Sequence, residues 1–61
     1  MKWREVVRMI EADGWYFDSQ KGSHRHFKHP IKSGKVTVPV HGGKDITGFV
    51  LHNILRQAGL K

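Results

Sequence analysis

The sequence predicts an α+β fold in the order α-β-β-β-α, with two helices on one face of a three-stranded antiparallel sheet. Three observations carry that expectation. Apolar residues recur at helical spacing near both ends of the chain, aromatic and Val residues alternate with polar ones in the middle, and Gly, Pro and Asp-Gly punctuate the joins. With 61 residues there is room for one domain, expected to span 1–61. A chain so short buries little surface by itself, so a partner is expected.

The first helix is read from Lys2 to Ala12. Trp3, Val6, Val7 and Ile10 fall at i, i+3, i+4 and i+7, and Lys2, Arg4, Glu5, Arg8 and Glu11 fill the other face. No good N-cap residue precedes it, so its first turn is expected to fray. Asp13-Gly14 supplies the stop, with Gly14 free to turn left-handed.

Trp15 to Gln20 alternates Trp15, Phe17 and Ser19 against Tyr16, Asp18 and Gln20, a strand pattern closed by Lys21-Gly22-Ser23. A second strand is expected from about His24 to His29, broken at Pro30 and Ser33-Gly34. The third runs from Lys35 to Val40, where Val alternates with polar residues. Pro39 cannot donate to a ladder, so this strand belongs at the sheet edge.

After His41-Gly42-Gly43-Lys44-Asp45, Thr47 is the expected N-cap of the second helix, with Ile46 and Leu51 placed as a hydrophobic staple. Leu51, Ile54, Leu55 and Ala58 make its apolar stripe, Val50 lies beside it, and Gly59 ends it. Both stripes can be buried on one sheet face, leaving the other open to solvent.

A second hairpin centred between Lys32 and Ser33 would pair Phe27 with Val38, His29 with Val36 and Arg25 with Val40 on the core side. The alternate set would place His26 opposite Pro39 and His24 opposite His41, gathering His24, His26, Lys28 and His41 on the open face. A one-residue slip would turn the Val residues outward, which disfavours it.

Charge narrows the partner. Lys and Arg number 11 against 5 Asp and Glu, a formal net charge of +6, which favours polyanions and above all nucleic acid. The absence of Cys removes disulfide and thiolate-zinc frameworks. No apolar run reaches the length of a membrane span, and no basic-then-apolar leader opens the chain, so a cytoplasmic location without membrane contact is the default expectation.

Among the five His, His29 reads as structural and His52 as a solvated surface residue. For His24, His26 and His41 three chemistries compete. Attack of a ribose 2′-hydroxyl on the adjacent phosphate needs a base and an acid, and imidazole titrates near neutrality, with Arg25, Lys28 and Lys44 as cations for the phosphorane. Three His across two strands can also approach a zinc ion, although no carboxylate second shell is evident. A basic module that contacts phosphate without cutting it is the third reading. Gly22-Ser23 is either an ordinary turn or a bend whose N–H and hydroxyl groups meet a phosphate while setting His24 at the strand start. Phe49, nearly opposite the apolar stripe, either anchors a partner or folds back on a neighbouring loop.

Gly14-Trp15, the run from Gly22 to Pro30 (Gly-Ser-His-Arg-His-Phe-Lys-His-Pro), Val38-Pro39-Val40-His41 and the run from Ile54 to Leu60 together resemble the HicA toxins, small bacterial messenger-RNA interferases. The resemblance spans nearly the whole chain. It implies a double-stranded-RNA-binding-domain-like fold, cleavage of mRNA without metal or other cofactor, inhibition of translation and growth, and neutralisation by a HicB-type antitoxin, with any contact to DNA made through that antitoxin. Its essential His falls on His24, with Gly22 and Ser23 shaping the turn. Arg25, His26, Lys28, His41 and Lys44 are expected RNA contacts on the strand and charge argument alone.

Overall fold

The computed structural model describes residues 1–40 and 42–61. His41 lies outside the described residues, and the expected pairing of His24 with it is not formed, because His24 pairs with Pro39. The elements are α1 (Trp3–Ala12), β1 (Tyr16–Lys21), β2 (His24–Lys28), β3 (Val36–Pro39) and α2 (Gly48–Gln57). The strands form one antiparallel sheet in the order β1-β2-β3. This is the expected α-β-β-β-α architecture, consistent with a double-stranded-RNA-binding-domain-like fold.

The core is the meeting of the predicted stripes. Val6, Val7 and Ile10 of α1 pack with Phe27, Val36 and Val38 of the sheet and with Ile54 and Ala58 at the end of α2, joined by Trp15 and Ile46. Trp3, Val40 and Leu51 are partly buried against them. Of the expected α2 stripe, Ile54 and Ala58 are sealed while Leu51 and Leu55 are partly buried; the helix runs along the β3 edge, where the Gln57 side-chain carbonyl accepts the Thr37 backbone N–H at 3.2 Å. That bond also blunts an open sheet edge.

Both helices end in the same way. The N–H groups of Gly14 and Trp15 donate to Glu11 and Ile10, and those of Gly59 and Leu60 donate to Arg56 and Leu55, the pattern of a Schellman cap. At the first cap the buried Trp15 follows Gly14 and meets the helix it terminates. Trp15 therefore precedes β1 rather than starting it.

Four expectations need correction. The α1 start does not depend on a capping side chain alone: the Lys2 N–H donates to the Glu5 carboxylate at 2.8 Å, Lys2 bridges to Asp45, and the Ile46 N–H donates to the Met1 carbonyl at 2.6 Å. At α2, Thr47 occupies the N-cap position, but its hydroxyl makes no capping bond, and the first helical bond, from the Leu51 N–H to the Thr47 carbonyl, is long at 3.4 Å. His52 is half-buried rather than solvated.

The β2–β3 register is the fourth. His24 pairs with Pro39, Arg25 with Val38, His26 with Thr37 and Phe27 with Val36, two residues away from the expected alignment. A two-residue shift preserves the faces, so Phe27, Val36 and Val38 still point to the core. The cause is His29, which leaves the ladder. Its Nε2–H donates to the Asp13 carbonyl at 2.7 Å, and its Nδ1 accepts the N–H groups of Ile31 and Lys32, both at 3.0 Å. The hairpin consequently turns earlier.

Candidate active site

β2 starts from the two-residue turn Gly22–Ser23, which sets Lys21 opposite His24. Gly22 has φ +58° and Ser23 is not left-handed, the signs of a type II′ hairpin turn. The Gly22 carbonyl accepts from Gln20 Nε2 at 2.9 Å, and the Ser23 carbonyl accepts the Val40 N–H at 2.7 Å. The backbone leading into His24 is thereby held while its side chain is exposed.

The histidines of β2 and the loop beyond it differ in what remains available for chemistry. His29 has both ring nitrogens engaged and only 7% of its side chain exposed, and its ring meets Trp15 edge-on at 5.1 Å. It is structural, as expected. His26 is half-buried, with Nδ1 sharing a hydrogen bond with Thr37 Oγ1 at 3.0 Å. Among the described residues His24 makes no side-chain hydrogen bond, and its ring is exposed.

His24 stands on the wall of a cleft of about 510 Å³ between the end of the sheet, the Lys44–Thr47 segment and α2. Pro39 and Val50 supply apolar surface, and Lys44, Asn53 and Gln57 supply polar groups. Asp45 also lines the cleft. The Lys2 ammonium lies 3.0 Å from its carboxylate, and the hydrogen bond between them holds the Asp45 carboxyl below its ordinary value of 3.8. The acidic group is thus matched by a cation, and Lys44 adds positive charge to the same wall.

A model of the HicA toxins of bacterial toxin–antitoxin systems matches residues 3–60. The chain belongs to the HicA toxin family. It is 36% identical to the "Probable mRNA interferase HicA" of Pseudomonas fluorescens (strain Pf0-1) over 61 residues, covering the whole of this chain and 98% of the relative.

In this HicA chain the residues expected from the sequence fall into three groups. Gly22 and Ser23 form the turn before His24, and His26 and Lys28 follow on the same strand face by the two-residue period. Lys44 lines the same cleft as His24. Arg25 is on the opposite face: its guanidinium lies 4.9 Å from the Trp3 ring and 5.8 Å from the Phe17 ring, and its Nε donates to Gln20 Oε1 at 3.0 Å. Among the described residues no group of three or more His, Cys, Asp or Glu gathers to hold a metal ion. The three-His arrangement includes His41, outside those residues.

Asn53 and Gln57 are cleft residues to which the sequence assigns no role, and Val50, expected only beside the core stripe, joins them. Their signal is a spacing of i, i+3 and i+7, a second stripe beside Leu51 and Ile54 that faces the sheet edge. Phe49 is 86% exposed and does not fold back on a loop. No helix among the described residues is long and apolar enough to cross a membrane.

Proposed function

We propose that this HicA toxin is an endoribonuclease that cleaves messenger RNA in the bacterial cytoplasm, with His24 as its general acid or base. A single domain spanning residues 1–61 carries the activity. The supporting observation is the contrast between an exposed His24 at a cationic cleft, without a side-chain hydrogen bond among the described residues, and the hydrogen-bonded His26 and His29 beyond it.

The chemistry is transesterification. A ribose 2′-oxygen attacks the adjacent phosphorus, the bond from phosphorus to the 5′-oxygen breaks, and the products are a 2′,3′-cyclic phosphate and a 5′-hydroxyl. One proton leaves the attacking hydroxyl and one joins the departing oxygen. The His24 imidazole performs one of these transfers. Lys44 and Lys28 offset charge as it builds on the phosphate oxygens, and the N–H groups of the Gly22–Ser23 turn offer a backbone contact to the chain. His26, tied to Thr37, contributes an RNA contact on the same face.

A HicB-type antitoxin neutralises the toxin by covering the His24 cleft, and contact with DNA runs through that antitoxin. Phe49, beside the cleft residue Val50, gives the antitoxin an aromatic anchor continuous with the site it must close.

Incubation of the purified protein with labelled RNA tests the nuclease reading. Fragments bearing 5′-hydroxyl ends, undiminished by an excess of chelator, are expected. Intact RNA of retarded mobility would make the protein a binding module, and cleavage abolished by the chelator would restore the three-His metal reading.

A further inference from the structure

We propose that the cleft beside His24 is a nucleobase subsite, in which the side-chain amides of Asn53 and Gln57 read the edge of a base next to the scissile phosphate. The inference rests on RNA being the substrate and adds what selects the cleavage position.

The cleft has the size and lining for such a ligand. Its volume of about 510 Å³ lies within the usual range for small-molecule sites, and those sites combine apolar walls with a few placed polar groups. Pro39 and Val50 are the apolar surfaces, against which the flat face of a base can lie, and Asn53 and Gln57 are one helical turn apart on α2. A carboxamide carries a donor and an acceptor together, the pairing that matches the edge of an unpaired base.

Gln57 is already oriented. Because its Oε1 accepts the Thr37 backbone N–H, its NH2 group is the part left to donate, so it selects a base that presents an acceptor at that point. Asn53 is exposed and makes no side-chain hydrogen bond to another described residue, so it can turn to supply either role. The β3 edge thus sets the polarity of one reader while the other adapts.

The surface continues beyond the base. A shallower depression adjoining the cleft is lined by Asn53, Arg56 and Gln57, which brings a cation to the far side of the same two amides. An RNA strand crossing α2 would have Lys44 and His24 on one side of the bound base and Arg56 on the other. Phosphates flanking a single read base are positioned in that way without contributing sequence information themselves.

Titration of the four nucleoside 3′-monophosphates into the protein, followed through the side-chain amide resonances of Asn53 and Gln57, tests the subsite. Both amides are expected to shift, with dissociation constants that differ among the bases, and the exposed-site variant Asn53→Ala is expected to weaken binding and narrow that difference, leaving the part that Gln57 sets. On RNA the same variant should show KM raised about five- to tenfold with kcat changed less than about twofold, as for a lost base-edge contact. The absence of amide shifts, or equal affinity for all four bases, overturns the proposal. Base discrimination by a protein that leaves RNA intact keeps the subsite and removes the ribonuclease reading. Cleavage without discrimination at the amides does the reverse.

Discussion

A Cβ atom on Gly14 would stand 2.6 Å from Nε2 of His29, the nitrogen that donates to the Asp13 carbonyl. The close approach couples the end of α1 to the loop that sets the β2–β3 register. Gly14 also has φ +109°. Gly14→Ala therefore combines backbone strain, overpacking and a displaced hydrogen bond, together about 3–5 kcal/mol. Gly22→Ala, with φ +58° and open space around the added methyl, carries only the backbone strain of about 1–2 kcal/mol. Urea midpoints of the two variants check this ordering, and equal losses would contradict it.

Acid should weaken the same corner of the molecule. The Asp13 carboxyl is held below its ordinary value of 3.8, first by the hydrogen bond from Lys32 and further by the Lys32 charge. A carboxyl whose folded value is depressed stabilises the fold fully above its unfolded value and loses that contribution as pH falls through the folded one. The stability difference between the native protein and Asp13→Asn is thus expected to be constant near neutrality and to shrink below about pH 4. Urea unfolding at a series of pH values measures it, and a difference that grows with acid would contradict the assignment.

Phe49 offers a test of the antitoxin surface. Its 86% exposure means that Phe49→Ala removes little from the fold, so any effect belongs to the partner. If the ring is an anchor, antitoxin affinity falls by about 2 kcal/mol, roughly thirtyfold. Calorimetric titration with the antitoxin measures that change, and an unchanged dissociation constant excludes the anchor.

The sequence makes the element order legible because its local signals are strong: the spacing of Trp3, Val6, Val7 and Ile10, the alternating Val36 and Val38, and the glycines after each helix all act within a few residues. The register is less legible because it depends on His29 reaching Asp13 across 16 positions, and the α1 start because Asp45 and Ile46 come from the far end of the chain. His24 can be singled out from its turn and family motif. The α2 side of its cleft cannot, since Asn53 and Gln57 look like any solvated helix face until Gln57 is seen against the β3 edge. Arg25 shows the opposite difficulty: its charge suggests a phosphate contact, while its place in the strand gives it to Trp3 and Phe17.

Cleavage of a defined RNA by His24→Ala and by His26→Ala, measured beside the native protein, tests the central claim most directly. The account predicts folded protein in all three cases, loss of product with 5′-hydroxyl ends and of growth arrest for His24→Ala, and retained cleavage with weakened RNA binding for His26→Ala. Undiminished cleavage by His24→Ala would contradict it.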